Sequence, residues 1–211
     1  KKRLIAKGAI STGETFLYII INLLLGMLPI FFLNKFSIVL CLIVIPLVVT
    51  YPYMKRITWW PQLWLGINFN WGVLIGFYSL TEPSFNIAVV IFYLGCIFLT
   101  IAYDTIYGFQ DIKDDLKLGI KSTAIKFKDF PKLFLVFNYI GCFLCWTLSL
   151  YLFNASILIL FLLAVFFSLI ITNSVAIQLE NPLSCEKSFK KNSYFSLAVT
   201  LLLIYNNFLN T

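Results

Sequence analysis

The residues best suited to chemistry are carboxylates at the end of a long apolar run: Asp104, Asp111, Asp114 and Asp115 within Tyr103-Asp104-Thr105-Ile106-Tyr107-Gly108-Phe109-Gln110-Asp111-Ile112-Lys113-Asp114-Asp115. On a helix that continues through all of them, 100° per residue places Asp104 about 20° from Asp111 and Asp115 about 40° away on the other side, with Tyr107 on the same stripe. Asp111 and Asp115 then lie about 6 Å apart along the axis, and Asp104 about 10 Å further in. Such a ladder is expensive beside lipid, and carboxylates this close repel unless a cation sits among them. Hard oxygen donors suit Mg²⁺, which joins a few carboxylates to substrate phosphates while keeping waters. The pattern predicts a metal-diphosphate site at a membrane surface. The alternative is a solvated acidic loop neutralised by Lys113 and Lys117.

Cations and hydroxyls follow. Lys117-Leu118-Gly119-Ile120-Lys121-Ser122-Thr123 offers a flexible glycine, a cation and two hydroxyls, which would serve as a phosphate clamp or simply as a basic loop. Tyr51-Pro52-Tyr53-Met54-Lys55-Arg56 sets two cations where another apolar run ends, and an arginine there can fork a carboxylate or phosphate. Asn68 and Asn70 stand amid Trp64, Phe69 and Trp71; amides in such a segment face neighbouring helices or a cavity. Histidine is absent, which removes imidazole metal ligands, Ser-His-Asp and Cys-His pairs and histidine proton shuttles. The five cysteines (Cys41, Cys96, Cys142, Cys145 and Cys185) mostly lie in apolar runs without ligand spacing, so Cys142 and Cys145 read as helix packing.

These groups must be positioned by membrane helices. Of 211 residues, 61% are hydrophobic and 12% charged, and the mean hydropathy is +0.92, far from the roughly 25% charge of a soluble domain. A bilayer core needs about 20 apolar residues per helix. Seven segments meet or approach that length: 15–33, 36–52, 61–80, 86–109, 132–153, 155–177 and 193–209. Pro52 and Pro61 bracket one loop, Pro83 marks another and Pro131 opens the fifth span, while Pro29 and Pro46 predict kinks. Fifteen of the sixteen Lys and Arg fall in alternate connections, leaving Lys35 on the opposite side. Cytoplasmic loops retain such cations, which predicts a cytoplasmic start. The net charge of +7 therefore speaks for basic loops on anionic membrane lipid, not for nucleic acid.

Two stretches carry a family resemblance: Tyr51-Pro52-Tyr53-Met54-Lys55-Arg56 through Pro61-Gln62 to Leu65-Gly66, and Ala102-Tyr103-Asp104-Thr105 through Asp111, Asp114 and Asp115 to Gly119-Ile120-Lys121-Ser122-Thr123-Ala124. With them the chain resembles the UbiA superfamily of intramembrane prenyltransferases, most closely its 4-hydroxybenzoate branch in ubiquinone biosynthesis. Similarity extends along the chain to Lys190, Asn192 and Tyr194. The resemblance implies an all-α transmembrane bundle, a polyprenyl diphosphate donor, 4-hydroxybenzoate as acceptor, and Mg²⁺. It assigns Asp111 and Asp115 to the metal-diphosphate site, Lys121 to the diphosphate, and Arg56 to the acceptor carboxylate; Asp104, Lys55, Tyr107 and Asn68 complete the candidate site. A bacterial inner membrane is expected, with the mitochondrial inner membrane as the alternative.

One departure stands out. The family's first aspartate-rich motif, NDxxDxxxD, precedes a basic stretch like Arg3-Leu4-Ile5-Ala6-Lys7-Gly8-Ala9-Ile10, and it is not found here. The expectation is a UbiA-like domain over 1–211 with seven of nine helices, inactive by itself. Another aromatic acceptor, or a non-catalytic membrane protein or transporter with an ion site at Asp104 to Asp115, are the competing readings.

Overall fold

The computed structural model describes residues 8, 10–81 and 84–210, without the side chains of 206–210. Arg3 to Lys7, Ala9, Glu82 and Pro83 lie outside the described residues, and with them most of the basic stretch compared above. Among the described residues the chain is helical, with no strand: α1 (Thr12–Met27), α2 (Lys35–Ile57), α3 (Pro61–Phe69), α4 (Trp71–Leu80), α5 (Ile87–Gln110), α6 (Ile112–Lys117), α7 (Thr123–Lys126), α8 (Pro131–Leu152), α9 (Ile157–Ala176) and α10 (Pro182–Asn210).

The helix starts are written locally. Ser11 and Glu14 form a capping box on α1, Asn34 accepts from the Ser37 N–H at the head of α2, and Pro61 and Pro131 occupy first turns where no donor is lost. Pro29 does more than kink its segment. Without an N–H it ends the α-helical ladder, and Leu28–Phe32 continues as a 3₁₀ turn. Pro52 behaves oppositely to expectation, because α2 runs through both Pro46 and Pro52 to Ile57. The predicted loop thus shrinks to Thr58, Trp59 and Trp60, and Lys55 and Arg56 sit on the last helical turn.

Among the described residues, six helical stretches are long and apolar enough to cross a membrane: 12–32, 35–57, 61–80, 87–110, 131–152 and 157–176. The seventh expected span, 193–209, is helical too, as the apolar second half of α10. The 61–80 span is broken at Asn70, whose amide donates to Gly66 O at 2.8 Å, Cys96 O at 3.2 Å and Thr100 Oγ1 at 2.8 Å. An asparagine that captures its own preceding turn while bonding a neighbour interrupts the ladder where it stands.

α5 is the central element. Ala102 and Ile106 are fully buried, as are Leu135, Tyr139 and Cys142 of α8 and Ile159 and Leu163 of α9. Gly95 permits the α5–α8 approach, since a Cβ there would lie 2.4 Å from Trp146 Cδ1. The Tyr139 hydroxyl donates to Asn192 Oδ1 at 2.8 Å, tying α8 to α10. All five cysteines are free, and Cys96, Cys142 and Cys185 are buried as packing groups. No described side chain of α1 is buried.

The bundle has two chemically distinct ends. At one, Phe36 packs on Tyr78 and Phe77 on Phe153, and Lys35 is the cation. At the other, the Lys121 N–H donates to Lys55 O at 2.9 Å, and Lys113, Lys128 and Lys132 meet the α9–α10 connection at Glu180. For these described cations, the segregation read from the sequence is a segregation between bundle ends; Lys1, Lys2, Arg3 and Lys7 lie outside the described residues.

Candidate functional site

The site is built where α2, α5 and the α6–α7 connection converge. A helix leaves its last carbonyls without intrahelical partners, and Lys121 supplies two donors to those of α2: its backbone N–H to Lys55 O, and its ammonium to Ile57 O at 3.1 Å. The same ammonium lies 5.8 Å above the Trp59 ring, and Lys126 lies 4.8 Å over Trp60. Lys55, Arg56 and Lys121, separated by 65 positions in the chain, therefore share one corner. A cation at a helix C-terminus is favoured by the helix dipole, which offsets part of their mutual repulsion.

Gly119 makes the return of the chain possible. Its φ of +65° is left-handed, a conformation glycine adopts without steric cost. The two hydroxyls that follow do not clamp a ligand here. Ser122 is 2% exposed and its Oγ accepts from the Ile125 N–H, capping α7. Thr123 is fully buried, with its Oγ1 2.6 Å from Thr105 Oγ1. Both serve to seat the loop on α5, so the expected phosphate clamp reduces to Lys121.

The acidic ladder differs from a continuous helix. α5 ends at Gln110, and Asp111 leaves the helical region with φ −108° and ψ 6°. Its carbonyl accepts from the N–H groups of Asp114 and Asp115 at 3.0 and 2.9 Å, starting α6. Aspartate favours such boundaries because its short polar side chain competes with the helical ladder. Asp111 and Asp115 thus keep their one-turn spacing on α6, whereas Asp104 belongs to another helix with other neighbours. Lys55 and Gln62 are among the groups near Asp104. Tyr107 turns elsewhere, its ring 5.3 Å from that of Phe189 on α10.

Asn68 holds α3 against α2: its amide nitrogen donates to Leu47 O at 3.1 Å, beside the Trp64 indole at 3.0 Å. Its Oδ1 is buried without a hydrogen-bond partner. Asp111 and Asp114, with Gln110, Lys128, Lys132 and Glu180, line a cavity of about 910 Å³ at the same bundle end.

Among the described residues, no three acidic, thiol or imidazole side chains are grouped to hold a metal. Asp111 and Asp115 offer hard carboxylate oxygens from a single turn. That donor set fits an ion that takes one or two carboxylates and completes its shell from water and phosphate, as Mg²⁺ does.

Sequence reasoning missed Gln62. It is 2% exposed, and its Oε1 accepts from the Thr123 N–H at 3.0 Å. A glutamine directly after the proline that opens an apolar span was the available signal.

Comparison with known proteins places the chain in context. The model of the UbiA prenyltransferase family matches residues 1–200. A protein named 4-hydroxybenzoate geranyltransferase 2 from Lithospermum erythrorhizon is 33% identical over 199 residues, 94% of this chain and 65% of the relative. A Drosophila melanogaster protein named 4-hydroxybenzoate polyprenyltransferase, mitochondrial, is 46% identical over 134 residues, 63% of this chain and 34% of the relative. The chain thus spans between about a third and two thirds of the length of these relatives. The apo structure of a UbiA homologue from Aeropyrum pernix K1 superposes over 100% of this chain and 76% of its own, with a TM-score of 0.70 and 19% identity. At that identity the likeness speaks for the fold alone.

Proposed function

The chain belongs to the UbiA prenyltransferase family, and from that premise we propose that it moves a polyprenyl group from its diphosphate to the ring carbon ortho to the hydroxyl of 4-hydroxybenzoate, a step of ubiquinone biosynthesis. The observation that supports this reading is that the two-carboxylate turn of Asp111 and Asp115 is tied through the Ile120 N–H to Asp115 O bond to the segment whose Lys121 is in turn tied to the end of α2 beside Lys55 and Arg56. The relatives named for 4-hydroxybenzoate support the acceptor.

Asp111 and Asp115 would hold Mg²⁺, which when bound supplies positive charge toward the leaving diphosphate. Lys121 and Lys55 add cations on the other side, so that the departing charge is met by groups already in place. As the C1–O bond ionises, the allylic cation is attacked by the electron-rich ring, and loss of the ring proton restores aromaticity. Arg56 presents a planar fork suited to the acceptor carboxylate. Asp104, half-buried near Lys55, would orient that corner. Asn68 on α3 would line the approach, while Tyr107 on α5 packs toward Phe189 of α10 and would border it from that side. The protein is an integral membrane protein, and we place it in a bacterial inner membrane, with the mitochondrial inner membrane as the alternative.

The test is transfer from radiolabelled polyprenyl diphosphate in membranes carrying the chain, with 4-hydroxybenzoate and a second aromatic acceptor in parallel. Label in prenylated 4-hydroxybenzoate supports the reading, and label only in the second acceptor reassigns the substrate. No label in either, with membranes that also contain the family's first aspartate-rich segment, returns the chain to a non-catalytic role.

A further inference from the structure

A groove of about 440 Å³ opens on the seam between α9 and α10, and none of the transferase candidates lines it. α9 runs toward the basic end of the bundle and α10 leaves from it, since their connection carries Glu180 beside Lys128 and Lys132. The polarity of the groove is therefore ordered across the bilayer. Asn173 and Lys191 stand nearest the basic end, Leu169 and Tyr194 come one turn further in, and Phe166 and Ala198 lie about 10 Å beyond Asn173 and Lys191.

Lys191 is held at the mouth of this groove. Its ammonium can only donate, so its 2.7 Å bond to Asn173 Oδ1 leaves the amide nitrogen for another acceptor, and that nitrogen donates to Ser188 Oγ at 2.8 Å. Ser188 is buried, which anchors the amide on the bundle. Helical side chains tilt toward the N-terminus of their helix, here the basic end, so the ammonium reaches back to the level of the headgroups. Among the described residues Asn173 takes one of its three donors, and two remain for an anion. The acid of this helix does not neutralise it: Glu186 pairs with Lys190 at 2.6 Å. Lys187, one turn nearer the basic end on the same stripe, adds a second positive charge.

We propose that this groove binds one anionic phospholipid, with its phosphate on Lys191 and the upper part of an acyl chain along Leu169, Phe166 and Ala198. Charge decides the occupant. A helix of a second copy laid here would enclose the Lys191 ammonium in an interface within the bilayer, which is costly. A phosphate neutralises it instead and leaves the exposed ring of Tyr194 at the interfacial level that such rings favour. Basic pockets between membrane helices on the cytoplasmic side take anionic headgroups on the same grounds.

The experiment is photolabelling of the whole chain in phosphatidylcholine nanodiscs, doped with a diazirine-bearing phosphatidylglycerol or, in parallel, a phosphatidylcholine with the same acyl chains. Mass spectrometry then reads the peptides over 164–176 and 189–200. Phosphatidylglycerol should label them about fivefold more than phosphatidylcholine, the preference expected of one cation near the surface. Lys191→Met, which keeps the stem and removes the charge, should abolish the preference without lowering phosphatidylcholine labelling, and Lys191→Arg should retain it. Lys132→Met, at the same bundle end but outside the groove, should leave it intact. Ala198→Phe fills the inner end and should lower labelling by both lipids severalfold. Equal labelling by the two lipids in wild type, a preference that survives Lys191→Met, an equal loss in Lys132→Met, or undiminished labelling in Ala198→Phe would overturn the proposal. So would crosslinks between chains in place of lipid adducts, or full competition by glycerophosphoglycerol, which carries the headgroup without acyl chains. If Ala198→Phe fails to fold, the contrast between Lys191→Met and Lys191→Arg decides the matter.

Discussion

Thr105 Oγ1 lies 2.6 Å from Thr123 Oγ1 and also 2.6 Å from Ile101 O, and the second distance fixes the direction of the first. A hydroxyl has one hydrogen. That of Thr105 is committed to the Ile101 carbonyl, so Thr123 is the donor within the pair. Both residues are fully buried, and a long-range bond between α5 and the loop thus depends on the hydrogen of Thr123.

The two valine substitutions should therefore differ. Thr105→Val strands the Thr123 hydrogen in a buried place and should destabilise by about 1 to 3 kcal/mol, whereas Thr123→Val strands only a lone pair and should cost about half as much. Thermal unfolding of both variants in the same detergent reads the difference. Equal shifts, or a larger one for Thr123→Val, would reverse the donor assignment.

Gly95 makes a packing prediction. A Cβ there would lie 2.4 Å from Trp146 Cδ1 and 2.6 Å from Nε1, whereas a Cβ at Gly72 meets nothing within 4 Å. The indole is itself held, donating to Phe92 O at 3.2 Å, so it cannot swing away freely. Gly95→Ala should cost roughly 1 to 3 kcal/mol. Gly72→Ala should be neutral or slightly stabilising, since it removes backbone freedom from a helix. Comparable melting temperatures for the two variants would contradict the α5–α8 packing.

Much of this organisation was legible in the sequence. Apolar length alone located α1, α2, α5, α8 and α9, and the cation spacing placed Lys55, Arg56 and Lys121 at one end. Long-range pairing stayed hidden: Gln62 meets Thr123 across 61 positions, and no local pattern records that. Periodicity also misled at Asp111. Counting 100° per residue assumes an unbroken helix, and an aspartate that starts a new helix leaves no gap in the hydrophobic pattern to announce itself. Pro52 misled in the opposite direction, since a proline within a membrane helix can be accommodated where neighbouring groups satisfy the freed carbonyl.

Arg56 should separate the two substrates. Arg56→Lys retains the charge and loses the planar fork. In a form competent for transfer, the apparent KM for 4-hydroxybenzoate should rise about tenfold or more, while that for the prenyl diphosphate stays near wild type. The reverse pattern would assign Arg56 to the diphosphate.

Sidedness is readable with single cysteines. Cysteines placed at Leu118 and Leu183 should react with an impermeant reagent from one face of the membrane, and one at Asn154 from the other. Leu118 is 72% exposed and Leu183 67% exposed, so neither report is limited by burial. Labelling of Leu118 and Asn154 positions from the same face would contradict the arrangement of spans.

The central claim is that Asp111 and Asp115 hold the metal-bound diphosphate during prenyl transfer. The remaining acids outside this region, Glu14, Glu82, Asp129, Glu180 and Glu186, are scattered singly. The measurement is Mg²⁺-dependent formation of prenylated 4-hydroxybenzoate in a form competent for transfer, comparing wild type with Asp111→Asn and Asp115→Asn, which keep shape and remove charge. Each variant should lose roughly 10² to 10³ in rate with membrane insertion unchanged. Wild-type rates in either variant would contradict the assignment and return these aspartates to a solvated acidic turn.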